Sequence, residues 1–207
     1  MKYDNQITKE KYLLCMSDVR DRTDVCQHLL ATGQELMTDN LRSEFVALQL
    51  RRILEQIAIA SFVANKLSYE KANQKLGAHV PIRNVVKNLS DLNPDFFPKP
   101  YKMKLDASGE NSHHADYLPL AADPLTEKEL LRAHDRCNKS LHSRNPFHSE
   151  INPNDQLKYF SEILRKSILL LSEHLVSPVG TTDKFYFIMS SPPDGDPNII
   201  HISPKGI

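Results

Sequence analysis

Cysteine, glycine and tryptophan are all in short supply: the 207-residue chain has 3 Cys, 6 Gly and no Trp. An odd set of cysteines, Cys15, Cys26 and Cys137, with no CxxC spacing excludes a disulfide framework and a zinc knuckle, and predicts a reducing compartment, the cytoplasm. An excess of one charge is also missing. The 26 Lys and Arg balance 26 Asp and Glu, so the molecule has no overall field to attract polyanions, and any nucleic-acid contact needs a local basic patch. Long hydrophobic runs are missing too. The longest strongly apolar stretch, Ile57 to Ala64, is far too short to span a membrane. The opening Met1 to Glu10 lacks the apolar centre of a secretion signal. With no internal repeat and no linker, a single domain is expected over residues 1–207.

Helical periodicity dominates what is present. Val25, Leu29, Leu30, Gly33, Leu36 and Met37 recur at three- and four-residue steps, whereas the apolar residues before them, Tyr12 to Met16, form too short a pattern to assign. Leu41 to about Ser68 is the strongest helix, uninterrupted by Gly or Pro and capped by Asp39 or Asn40. Its second half is apolar on every face, as suits the centre of a bundle. Ile82, Val85, Val86 and Leu89 predict a short helix after Pro81. Thr126-Glu127-Lys128-Glu129 has capping-box form and opens a helix that stops before Asn145-Pro146. Another long helix runs from about Asn154 through Leu171 and Leu175 to Pro178.

Two regions break the pattern. Residues 93–123 hold Pro94, Pro98 and Pro100 around Phe96 and Phe97, with a candidate strand at Tyr101 to Leu105; this proline-rich insertion is expected to contain short strands or to cover a site. At the end, Phe185 to Met189 and Ile199 to Ile202 flank an Asp-Gly turn and predict a β-hairpin over about 184–203. The expected fold is mainly α: a helical bundle with a small C-terminal β-hairpin.

The local basic patch lies between Lys128 and His148. Lys128, Arg132, Arg136, Lys139 and Arg144 face only Glu129 and Asp135 there, and His134, His142 and His148 are interspersed. Arg136 and His142 stand within two turns at a helix end, close enough to converge on one ligand. Together they suit cleavage of a phosphodiester without a metal. An imidazole exchanges protons near neutrality, and a guanidinium fork holds the phosphate and stabilises its growing charge.

An Arg followed six residues later by His near the end of a bundle helix resembles the signature of HEPN-domain proteins, which is Arg, four to six residues, then His. The likeness extends to Leu48-Gln-Leu-Arg-Arg-Ile-Leu-Glu55 on the long helix and to Asn145-Pro146-Phe147 after the motif. It takes in the helical part of the chain, about two-thirds of it. Family members often have a polar residue directly after the arginine; here Cys137 stands there and Asn138 follows. The resemblance implies a HEPN-like bundle and a metal-independent endoribonuclease, with Arg136 clamping the phosphate and His142 as acid or base. Arg132, Asn138, Lys139 and Arg144 would bind substrate around that pair. No cofactor is expected. Because each chain offers one such histidine, a homodimer is expected to face two motifs across a two-fold axis. Many family members act in toxin–antitoxin or phage-defence systems, so an antitoxin-like protein partner is a further expectation. The alternative is a catalytically silent module that binds a nucleotide, an RNA or a protein.

Several other groups compete for attention. Arg22 and His28 repeat the spacing, but among Asp21 and Asp24 at a helix start. Arg51, Arg52 and Glu55 favour a structural ion pair over support for a site. His113, His114, Asp116 and His148 are candidate metal ligands, yet adjacent histidines in a strand point apart and no second spaced pair completes a site. Cys137 falls on an apolar stripe, where cysteine behaves as a small hydrophobe.

Overall fold

The computed structural model describes residues 5–32, 35, 37–73, 80–102, 123–142, 152–191 and 195–202. It is mainly helical, as the periodicity requires. Helices α1 (Asn5–Thr32), α2 (Asp39–Asn73), α3 (Ile82–Leu92), α4 (Glu127–Leu141) and α5 (Pro153–Leu171) are joined by strands β1 (Lys99–Pro100), β2 (Glu173–Val176), β3 (Lys184–Ser191) and β4 (Asp196–Ile202).

Helix α2 is the axis of the bundle and packs against α1, α3, α4 and α5. Its 35 residues extend about 52 Å at 1.5 Å per residue. Leu50, Ile53, Leu54, Ile57 and Ala60 are wholly buried on it, and each large one contributes about 1.5–3 kcal/mol by leaving water. The apolar run from Ile57 is therefore covered on nearly all sides. The exception is Ile59, 39% exposed. Thr38, rather than Asp39 or Asn40, caps the helix, accepting from the Leu41 N–H at 3.4 Å. Asp39 instead pairs with Arg42 at 3.0 Å.

Helix α1 begins far earlier than the Val25 stripe implied. Its buried face is Tyr12, Met16, Val19, Cys26 and Leu29, while Val25 is 43% exposed. The three-and-four spacing of that face is as regular as the expected one, but polar residues fill the turns between. Gly33 and Leu36 lie outside the described residues.

Helix α4 follows its capping box closely. The Thr126 hydroxyl accepts from the Glu129 N–H at 3.3 Å, and the Glu129 carboxylate accepts from the Thr126 N–H at 3.0 Å. Glu129 also receives the buried Lys166 ammonium at 2.6 Å, tying α4 to α5. Burial alone would raise the Glu129 pKa, but the bonds from Lys166 and Thr126 outweigh it and hold it at about 2.

The C-terminal part is richer in strand than the hairpin expected from sequence. The β3–β4 hairpin is present, with Gly195 at φ 75 in its turn, and it extends an antiparallel sheet of order β1-β2-β3-β4. Leu171 and Leu175 share the spacing of a helix face, but α5 ends at Leu171 and Leu175 belongs to β2. Strand β1 is Lys99–Pro100, just before the expected Tyr101; residues 103–122 of the insertion lie outside the described residues.

The helix–sheet junctions are stitched by saturated buried polar groups. The Tyr12 hydroxyl donates to His174 Nε2 at 2.6 Å, and the other ring nitrogen, Nδ1, donates to the Leu171 carbonyl at 3.2 Å. Asn93 donates to the Asn65 side chain at 3.1 Å and to the Ser177 carbonyl at 2.8 Å. Unpaired, each of these groups would cost about 1–3 kcal/mol.

Candidate functional site

Helix α4 presents three stripes, each set by the helical repeat. Leu130, Ala133 and Cys137 enter the core. His134 and Asn138 turn toward α2 and α3. Arg132, Arg136 and Lys139 turn toward α5, at steps of four and three residues that stack them on one face.

The face toward α5 lines a groove of about 450 Å³, built from Arg132, Asp135, Arg136 and Lys139 with Gln156 of α5. The Arg136 guanidinium lies 3.9 Å from the centre of the Tyr159 ring. This contact orients the guanidinium without neutralising it. Asp135 is the one acid of the groove lining, and its carboxylate is engaged by Arg83 of α3 at 2.6 Å. Among the described residues, Arg132, Arg136 and Lys139 make no ion pair. Three unpaired cations above one committed acid make a local positive site on a neutral molecule.

The opposite face meets a different environment. Glu55 of α2 accepts from Arg51 at 2.9 Å, from Arg52 at 3.0 Å and from His134 Nε2 at 3.3 Å. The Asn138 amide, which can only donate through its nitrogen, lies 3.3 Å from His134 Nδ1. These partners assign the proton of a neutral His134 to Nε2 and leave neither ring nitrogen free. Burial pushes the Glu55 pKa up, but the bonds from Arg51 and His134 and the charges of Arg51 and Arg52 outweigh it and hold the carboxyl below its usual range. The expected Arg51–Glu55 pair is thus realised, as the centre of a larger network. The sequence reading missed His134 as its fourth member, because it sits beside the apolar stripe and its carboxylate is 79 residues away in the chain.

The predicted site residues therefore divide. Arg132, Arg136 and Lys139 come together. Asn138 does not join them, lying instead on the α2–α3 side, one hundred degrees around the helix from Lys139. His142 is the C-cap of α4, exposed, with extended backbone (φ -79, ψ 144), and it is not part of the groove lining. Arg144, His148, His113, His114 and Asp116 lie outside the described residues.

The competing candidates are accounted for by their partners. Arg22 is held by Asp18 and by Gln49, both at 2.8 Å, and His28 contacts Thr32 at 3.3 Å. Cys137 is buried, which pushes its thiol up to about 12, well away from a reactive thiolate. Among the described residues, no three His, Cys, Asp or Glu gather into a metal-holding group, and no helix is long and apolar enough to cross a membrane. Comparison of the chain with protein-family models, with curated proteins and with solved structures found no match.

Proposed function

We propose that this protein binds RNA through the phosphates of its backbone in the α4–α5 groove and, as a HEPN-type endoribonuclease, cleaves it without a metal. The observation that carries the reading is the trio Arg132, Arg136 and Lys139, with no ion pair among the described residues and no acid free beside it. Unpaired cations on a rigid helix suit a polyanion, and the Tyr159 ring that orients Arg136 adds a flat surface beside them. In the cleavage step, His142 would take the proton of a ribose 2′-hydroxyl. That oxygen attacks the adjacent phosphorus while Arg136 stabilises the charge on the phosphoryl oxygens. The 5′-oxygen of the next nucleotide then leaves with a proton, giving a 2′,3′-cyclic phosphate.

A homodimer fits this chemistry, because the step needs a base and an acid and each chain offers one histidine at this helix end. The test is incubation with single-stranded RNA in EDTA, followed by analysis of product ends. Persistent cleavage with cyclic-phosphate ends, abolished in Arg136→Ala and His142→Ala, supports the enzyme.

A second reading follows from the exposed position of His142 outside the groove lining. Here the groove binds RNA and cleaves nothing. Intact RNA, bound tightly by the parent protein and weakly by Arg136→Ala, would select this module. Cleavage that requires a divalent ion would discard both readings.

A further inference from the structure

Cations recognise phosphates, and phosphates are the same in RNA and DNA. Telling one strand from the other needs an uncharged hydrogen-bonding group beside the cations. The α4–α5 groove has one in its lining: of Arg132, Asp135, Arg136, Lys139 and Gln156, only Gln156 is neutral. Gln156 stands in the first turns of α5 and is 4% exposed, with its backbone N–H donating to the Asn152 carbonyl at 3.2 Å. A long polar side chain is held so closely only where something fixes it.

The anchor comes from across the groove. The Ser140 hydroxyl of α4 shares its proton between the Arg136 carbonyl at 3.1 Å and Gln156 Oε1 at 3.0 Å. The amide is thereby tied to the same turn of α4 that carries Arg136. One turn further along α5, the Tyr159 ring meets the Arg136 guanidinium at 3.9 Å, so guanidinium and amide are set by the same two helices. Among the described residues, nothing accepts from Gln156 Nε2, which keeps two N–H donors for whatever enters the groove. In a ribonucleotide strand, the 2′-hydroxyl lies on the carbon next to the one that bears the 3′-phosphate. A phosphate held by Arg136 therefore brings a hydroxyl with it, and a hydroxyl can both accept from an amide and donate to one. Deoxyribose has only C–H bonds at that place. We propose that Gln156 is the specificity-determining residue of the α4–α5 groove, reading the ribose 2′-hydroxyl beside the phosphate on Arg136. Ser140 is its positioning residue. The inference rests on the reading of this groove as a phosphate site and adds a contact that the cations do not make.

The test compares affinities for a single-stranded RNA and for DNA of the same sequence, in the His142→Ala background so that the RNA stays whole. RNA should bind roughly tenfold more tightly than DNA, the worth of one well-made hydrogen bond. Gln156→Met, which keeps the length of the side chain and removes the amide, should bring the two strands to within about twofold of each other. It should do so by weakening RNA alone, with DNA affinity and both salt slopes unchanged, since no charge is lost. Ser140→Ala should narrow the difference by about threefold, and it decides by the same ratio if Gln156→Met does not fold. An RNA-to-DNA ratio that neither variant alters would overturn the proposal, and so would equal weakening of both strands. Equal affinities in the parent, with steep salt slopes, would overturn it while leaving the phosphate groove standing. Absence of binding to either strand would overturn the groove reading and this inference with it.

Discussion

The two flanks of α4 carry nearly the same residue types and use them in opposite ways. On the α2 side, Arg51, Arg52 and His134 all converge on the Glu55 carboxylate. On the α5 side, Arg132, Arg136 and Lys139 have no carboxylate of their own among the described residues, where Asp135 is taken by Arg83. Arg51 and Arg52 pair with Glu55 within α2, and His134 ties α4 to α2 through the same carboxylate, whereas an unpaired cation keeps its full charge for a ligand. The Tyr12–His174 pair at the helix–sheet junction belongs with the first kind, with both ring nitrogens satisfied and the ring wholly buried. Fold-holding and ligand-holding polar groups are therefore told apart by saturation rather than by residue type.

The largest test of this division is catalytic. Arg136→Ala and His142→Ala should each lower RNA cleavage by about a hundredfold or more, the size expected for loss of an electrostatic or acid–base group. His142→Ala should leave the urea midpoint unchanged, since His142 is exposed, and Arg136→Ala should cost at most about 1 kcal/mol, the worth of its contact with the Tyr159 ring. A matching loss of activity in Arg22→Ala would show that the contrast between open and paired cations means little. On the saturated flank the pattern should invert. Glu55→Ala should cost about 2 kcal/mol of stability, because the buried His134 and half-buried Arg51 lose their acceptor; the more exposed Arg52 adds little. An unchanged urea midpoint for Glu55→Ala would mean that the network does not hold the helices.

The Tyr12–His174 pair extends the same comparison to pH. Burial lowers the His174 pKa from 6.5 to about 4, so the unfolded chain takes up a proton that the folded one refuses between those values. The contribution of His174 is complete above pH 6.5. It should be lost at about 1.4 kcal/mol per pH unit as pH falls from there toward 4. Urea unfolding of the parent and of His174→Gln from pH 7 to pH 4 checks this, and parallel curves for the two proteins would refute it. The smallest effect belongs to a single peripheral cation. Lys139→Ala should reduce the slope of log affinity against log salt for single-stranded RNA by about 0.7, with no change in stability.

Some of this organisation was legible in the sequence, where the cause is local. The capping box at Thr126 and Glu129, the stop of α3 before Pro94 and the buried run around Ile57 all depend on neighbours a few residues apart. Leu171 and Leu175 sit four apart, the spacing of a helix face, and only pairing with β1 and β3 gives Glu173–Val176 its extended form. The clustering of Arg132, Arg136 and Lys139 was visible in the charge pattern. That Asn138 would leave the cluster follows from the helical repeat, about one hundred degrees per residue, whereas the locking of His134 by Glu55 depended on a contact between α4 and α2 that no local spacing contains.

The central claim is that the open flank of α4 binds RNA phosphates, and the salt dependence of affinity tests it most directly. Binding of a short single-stranded RNA should be measured across a range of salt for the parent and for the triple variant Arg132→Ala, Arg136→Ala and Lys139→Ala. Each lost phosphate contact lowers the slope by about 0.7, so the triple variant should bind more weakly with a slope reduced by about 2. An RNA affinity with the same slope in both proteins would contradict the account.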